Sequence, residues 1–131
     1  MKLEDDHYCF ACGMLNKSGL KLKFDLDKEK RSIRAEFTPL KIHQGFKDIV
    51  HGGIIGLILD ECMVNLAWKL GIYAVSAEYT VKLLKPAFVG EKLTFLAKII
   101  SDNKRMLTAE GECSDEEENI IARSSSKCIK I

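Results

Sequence analysis

The sequence predicts an α+β domain in which an antiparallel β-sheet packs around one long helix. Three observations predict it. The chain has 131 residues, about one domain's worth. Its one long, mostly apolar segment, Ile54 to Leu70, is too long and too rich in Leu and Met for a strand. Every other periodic segment alternates with the period of two that marks a half-buried strand, two segments before the helix and four after it. Runs of strands around a lone helix give an antiparallel sheet rather than a βαβ crossover.

Leu20, Leu22, Phe24 and Leu26 alternate with Lys21, Lys23 and Asp25, the pattern of a first strand. Asp27-Lys28-Glu29-Lys30 turns the chain, and Ile33, Ala35 and Phe37 return it. Thr38-Pro39 stops that strand, because Pro lacks the ladder donor. Leu40 to Val50 is irregular. His51-Gly52-Gly53 opens the helix and Gly71 caps its end. The helix is apolar on nearly every side, which implies a sheet wrapped around it and leaves Asp60, Glu61 and Asn65 to be explained. Val75, Ala77, Tyr79, Val81 and Leu83 then alternate with Ser76, Glu78, Thr80 and Lys82. Pro86 and Gly90 punctuate, and Leu93, Phe95, Ala97 and Ile99 form the next strand. Asp102-Asn103-Lys104 turns into a hairpin of Met106 to Cys113 and Ile120 to Ile131, with Asp115-Glu116-Glu117-Glu118 at its tip. One helix cannot cover six strands on both faces, so free edges predict self-association.

Composition removes several function classes. A net charge of +1 gives no global attraction to nucleic acid or membrane. The longest apolar stretch, Ile54 to Leu59, is too short for a bilayer. Five cysteines behind an acidic start without a signal-like apolar segment argue against a disulfide framework and for a cytoplasmic protein. No Gly-x-Ser-x-Gly elbow and no phosphate-cradling glycine loop occurs. His7, Cys9 and Cys12 form half a zinc site at most, since Cys-x-x-Cys has no second pair; no metal and no cofactor are expected. Cys62 reads as core, with no neighbour in sequence to activate it.

The helix start carries the chemistry. Two glycines there let a ligand approach the backbone, where unpaired N–H groups bear partial positive charge and can hold an oxyanion. The plain alternative is a glycine pair needed for tight packing. Asp60 lies eight residues after Gly52, and Gly53, Gly56 and Asp60 share a face at i, i+3, i+7. A carboxylate on an apolar helix needs either a partner or a chemical role. It can activate water, attack an acyl carbon, or bond a structural donor. Glu61 points elsewhere. His51 reads as a residue that orients the loop, with His43 a further acid–base candidate.

Phe46 to Glu61, with its His51-Gly52-Gly53 start, resembles the helix-start motif of hotdog-fold thioesterases of the phenylacetate-pathway (PaaI-like) family. Leu83-Leu84-Lys85-Pro86-Ala87-Phe88-Val89-Gly90 resembles that family's strand-end motif, and Cys9-Phe10-Ala11-Cys12-Gly13 with Asn16, Gly19 and Leu20 resembles the N-terminus of one of its branches. The resemblance implies a hotdog fold over residues 1–131, with 1–19 an N-terminal segment packed on the sheet, and two subunits joining their sheets edge to edge. It implies that Gly52 holds the thioester carbonyl, that Asp60 of the opposing subunit is base or nucleophile, and that Ser76 helps place water. Where related enzymes carry Asn, seven residues before the helix glycine, this chain has Gly45, and Gln44 is the amide one step away.

The expected function is hydrolysis of an acyl- or aryl-CoA thioester by a homodimer or homotetramer. Asp60, Gly52, Ser76 and Gln44 are the expected catalytic residues. His51, Gly53, Glu61, Lys85 and Arg105 are the expected substrate contacts, the two cations drawn from Lys82, Lys85, Lys104 and Arg105 near strand ends, each of which either holds a CoA phosphate or is plain solvated surface charge. Met63, Trp68 and Phe88 are candidates for setting the acyl length. Two rivals stay open: a hotdog hydratase or dehydratase, which pairs His with an acid, and a non-catalytic acyl-CoA binding module.

Overall fold

A computed structural model describes residues 2–131. Strands β1 (Phe24–Asp27) and β2 (Ser32–Phe37) precede helix α1 (Gly52–Lys69). Strands β3 (Ala74–Leu83), β4 (Leu93–Asp102), β5 (Met106–Ser114) and β6 (Ile120–Lys130) follow it. All six form one antiparallel sheet in the order β1-β2-β4-β5-β6-β3. The antiparallel sheet and single long helix are those that the alternating and continuous apolar patterns predict.

The inward residues of the sheet, Ile33, Ala35, Phe95, Ala97, Ala109, Cys113 and Ala122, close on Ile55, Ile58, Leu59, Cys62, Met63 and Leu66 of α1 in one core. Each fully buried Leu, Ile, Met or Phe contributes roughly 1.5–3 kcal/mol. The helix comes within reach of the strands where side chains are small: a Cβ at Gly111 would lie 3.2 Å from Leu59 and 2.6 Å from Ser124 Oγ. α1 starts on His51, whose Nδ1 accepts the Gly53 N–H at 2.9 Å, and ends before Gly71, which adopts φ +79°.

Three details differ from the sequence reading. First, β1 begins at Phe24, not Leu20: Lys21 has φ +52°, and the N–H groups of Leu20 and Leu22 donate to Phe10 and Ala11 carbonyls, both at 2.9 Å. The N-terminal segment takes the donors that a longer strand would have used. Second, the sheet leaves one side of α1 half-buried, carrying Asp60, Glu61, Val64, Asn65 and Trp68. Third, β3 is not strictly alternating. Ser76 pairs with Cys128 and Glu78 with Lys127, so Ala77 is an extra residue in a bulge. Ser76 on one side of the bulge, and Tyr79, Val81 and Leu83 on the other, therefore share the helix-facing side.

Charged clasps hold the rim. Asp102 at the end of β4 accepts from Arg31 at 2.8 Å, in the β1–β2 turn, and from Lys130 of β6. Lys130 and Arg31 hold the Asp102 carboxyl below its ordinary range. A lowered folded-state value means that the stabilisation is present above the unfolded value of about 4 and is lost as pH falls through the folded one. Asp102→Asn should thus lower unfolding stability near neutral pH by up to about 1 kcal/mol, the partners being partly exposed. Urea titrations should show that deficit shrinking in strongly acidic solution.

Candidate active site

The face of α1 turned towards β3 is built from Gly52, Gly56 and Asp60, spaced at i, i+4 and i+8. Each meets a helix-facing residue of β3. A Cβ on Gly52 would lie 2.6 Å from Leu83 Cδ1, one on Gly56 would lie 3.6 Å from Val81, and Asp60 Oδ1 accepts the Ser76 hydroxyl at 2.8 Å. Gly53, which the i, i+3, i+7 reading placed on this face, is turned away: its nearest neighbour is His51.

The helix start opens on a groove of about 620 Å³. Phe46, Ile49, Val50, Ile55, Leu83 and Leu84 give it apolar walls, Gly52 and His51 lie in one side, and Lys85 also lines it. Two N–H groups of the Gly-Gly pair have different fates. Gly53 N–H is taken by His51 Nδ1, which fixes that imidazole nitrogen as an acceptor and leaves any ring proton on Nε2. Gly52 N–H has no acceptor among the described residues, and Gly52 lines the groove at the positive end of the helix. His51 thus orients the loop, as the sequence suggests, and Gly53 has no free donor for a ligand.

Asp60 and Ser76 come together, but not beside Gly52. Eight residues at 1.5 Å rise put Asp60 about 12 Å along the axis from Gly52. A carbonyl held at Gly52 is out of reach of the same chain's Asp60. Ser76 occupies one carboxylate oxygen, and Oδ2 bonds nothing among the described residues.

The remaining candidates scatter. Gln44 Oε1 accepts the Asp48 N–H at 3.1 Å and braces the loop in which Asp48 has φ +62°; Gln44 is not among the residues lining the groove. Glu61 faces the N-terminal segment, where Cys12 and Cys9 donate to it at 3.1 and 3.4 Å. Lys85 bonds Asn119 at 3.3 Å just beyond the Leu83 end of β3. Arg105 lies beside Lys130, whose strand partner is Ala74 at the other end of β3. Within one chain, Lys85 and Arg105 cannot hold the same phosphate. Burial lowers the His43 value, and His43 Nδ1 is taken by the Leu40 N–H at 2.9 Å. Burial pushes the Cys62 thiol far up, which removes it as a nucleophile near neutral pH.

Sequence reasoning missed the contact between Cys9, Cys12 and Glu61, because nothing in local spacing links residues 49 and 52 positions apart. It also missed the bulge at Ala77, which brings Ser76 to the helix side.

The model of the thioesterase superfamily matches residues 47–122. No curated protein sequence matches. Among solved structures, a thioesterase superfamily protein is similar at TM-score 0.87 and 20% identity, over 94% of this chain and 60% of that one. The Escherichia coli PaaI protein of the phenylacetic acid degradation operon is similar at TM-score 0.78 and 20% identity, over 86% of this chain and 80% of that one. A Streptococcus mutans protein bound to acetyl CoA is similar at TM-score 0.78 and 16% identity, over 90% of this chain and 96% of that one.

Proposed function

Since the chain belongs to the thioesterase superfamily, we propose that it hydrolyses acyl-CoA thioesters at a site made by two subunits. The observation that carries this reading is the 2.8 Å bond between Asp60 and Ser76, set about 12 Å from the N–H of Gly52 that lacks an acceptor among the described residues. The parts of a hydrolytic site exist, but a second copy is needed to unite them.

β3 supplies the means. It is a ten-residue edge strand with exposed Tyr79 and Leu83, and such an edge invites another strand. Antiparallel pairing of β3 with its copy across a two-fold axis sets the Ser76 end of one strand beside the Leu83 end of the other. Asp60 of the partner subunit then faces Gly52. The same pairing brings the Lys85 and Arg105 ends of the two chains together, which suits a ligand with several phosphates.

In this site the thioester carbonyl oxygen accepts the Gly52 N–H, which stabilises negative charge as it develops there. The partner's Asp60 takes a proton from water through its free oxygen while Ser76 fixes the other. The water oxygen bonds to the acyl carbon, the C–S bond breaks, and the CoA thiolate leaves and is protonated. Direct attack by the carboxylate on the acyl carbon uses the same geometry. A hydratase needs a His free to work beside the acid; His51 Nδ1 is committed to the Gly53 N–H.

One observation favours a non-catalytic acyl-CoA binder. Gly45 replaces the amide that related enzymes carry, and the Gln44 carbonyl is already engaged by Asp48. A panel of short-chain, long-chain and aryl CoA thioesters, followed by release of free thiol, separates the readings. Hydrolysis predicts many turnovers per chain above a protein-free control. Saturable binding with no thiol release beyond the protein's own five cysteines would establish the binder.

A further inference from the structure

A second cluster lies on the same half-buried side of α1, one residue beyond Asp60. Cys9 and Cys12 sit on one tight turn and Glu61 reaches them from the helix. Cys12 Sγ–H donates to Glu61 Oε1 at 3.1 Å and Cys9 Sγ–H donates to the same oxygen at 3.4 Å. Asn65, one turn along, donates its Nδ2–H to that oxygen at 2.6 Å. Three donors thus crowd one carboxylate oxygen, which has about two lone-pair sites. We propose that Cys9 Sγ, Cys12 Sγ and the Glu61 carboxylate bind a thiophilic divalent cation of the zinc class, with the fourth position open to water.

The distances fit such an ion. The three ligand atoms lie within 4.8 Å of one another. A tetrahedron with Zn–S of about 2.3 Å and Zn–O of about 2.0 Å has S–O edges of about 3.5 Å. The Cys9–Glu61 separation of 3.4 Å and the Cys12–Glu61 separation of 3.1 Å are close to that edge. A single cation at the centre replaces two S–H donors and relieves the crowded oxygen.

The turn is built to aim both sulfurs one way. Gly13 N–H closes on the Cys9 carbonyl at 2.8 Å, and a Cβ at Gly13 would collide with backbone atoms of His7 and Cys9. Cys12 N–H donates to Cys9 Sγ at 3.4 Å, and Asn65 Nδ2–H points at Cys12 Sγ from 3.7 Å. N–H donors directed at sulfur and carboxylate support negatively charged ligands and fix their orientation. On binding, both thiols lose their protons to solvent; two thiolates, one carboxylate and a divalent ion leave one net negative charge, which these donors stabilise. Two sulfur ligands favour zinc-like ions over Mg²⁺ or Ca²⁺. The half-site on His7 is not this one, because His7 Nδ1 turns to Asp5 at 3.7 Å. The ion would fasten the N-terminal segment to α1 at the residue next to Asp60. It uses none of the atoms assigned to hydrolysis and stands or falls separately.

The test uses the full chain, reduced with a phosphine, stripped with a chelator and titrated anaerobically with Co²⁺. One Co²⁺ per chain should bind, with thiolate-to-metal charge transfer and the intense visible bands of a tetrahedral ion, and Zn²⁺ should displace it. Asn65→Ala should weaken binding about 10–100-fold, as expected for a residue that orients ligands. The double variant Cys9→Ser, Cys12→Ser should lose the charge-transfer band, while Cys113→Ala in the core should keep it. If circular dichroism shows the double variant unfolded, Glu61→Gln carries the test, and its affinity should fall. Wild-type protein that binds Co²⁺ no better than the double variant overturns the proposal. So does unchanged affinity in Glu61→Gln, or a reduced wild-type chain that shows no charge transfer and only closes a Cys9–Cys12 disulfide in air.

Discussion

Asp60→Asn should cut turnover of a CoA thioester by at least about 100-fold while leaving the fold and KM nearly unchanged. The substitution is a narrow one. Asn keeps a side-chain oxygen where Ser76 now donates at 2.8 Å, so the link between α1 and β3 survives. Asp and Asn have similar helix propensities, so the helix is not penalised. What disappears is the negative charge and with it the proton acceptor, or the nucleophile, on the free oxygen. A loss confined to kcat is the signature of an interaction made in the transition state. Circular dichroism and urea unfolding check the fold, and steady-state kinetics check the rate. A purified, folded Asp60→Asn protein with near-normal kcat would mean that this carboxylate only holds Ser76.

A mixed dimer should regain activity that neither parent has. Gly52→Val is one parent: its side chain would fill the space beside Leu83, where even a Cβ lies 2.6 Å from Cδ1, and would block the approach of a carbonyl to the Gly52 N–H. Asp60→Asn is the other. Each homodimer carries one lesion in both of its sites and should be inactive. In the mixed dimer one site collects both lesions and the other collects neither, so about half the wild-type rate per dimer should return if the sites are independent. Leu83 ends in a flexible side chain, which gives Val at Gly52 some room, and circular dichroism of that variant comes first. Sedimentation should confirm that both parents and the mixture are dimers or larger. A mixed dimer that forms and stays inactive falsifies the shared site: Asp60 would have to act on its own helix start through bridging water.

Much of the fold was legible because its signals are local. His51-Gly52-Gly53 and Gly71 bracket α1 to within about a residue of its observed limits, since caps are short-range chemistry. Between their register shifts, at Ala77 in β3, near Ile100 in β4 and at the Ser114 end of β5, the strands from Ser32 onward follow alternation for the same reason. The first strand was not legible in full: Leu20 to Lys23 alternate well, but the donors of Leu20 and Leu22 go to Phe10 and Ala11, a tertiary choice that pattern does not encode. In the site, Asp60 stood out as a carboxylate on an apolar helix, whereas the glycine that shares its face is Gly52 rather than Gly53. A difference of one residue rotates a helix position by about 100°, and spacing alone did not settle which glycine the strand would meet. Gln44 is read from its nearness to Gly45 in sequence; its partner Asp48, and the Cys9–Cys12 turn that engages Glu61, emerge from loop and tertiary geometry.

The bulge at Ala77 is a phase shift in β3. A strand is a binary sequence of up and down, and one uncounted residue exchanges the two for everything beyond it. Counting back from Leu83, Val81 and Tyr79, strict parity would put Ala77 inward and send the Ser76 hydroxyl to the outer surface; the uncounted residue restores it to Asp60. Excising Ala77 would therefore be silent in phase, because Ser76 and Glu78 already face adjacent rungs of β6. Pulling the same residues into one unbroken ladder would be an inversion. Ala74 would leave the core, Val75 would enter it, and the Asp60 carboxylate would be stranded without its donor. The site thus depends on an exposed slack residue whose own side chain faces away from it, and a change that straightened the strand would disable the site without altering any of its side chains.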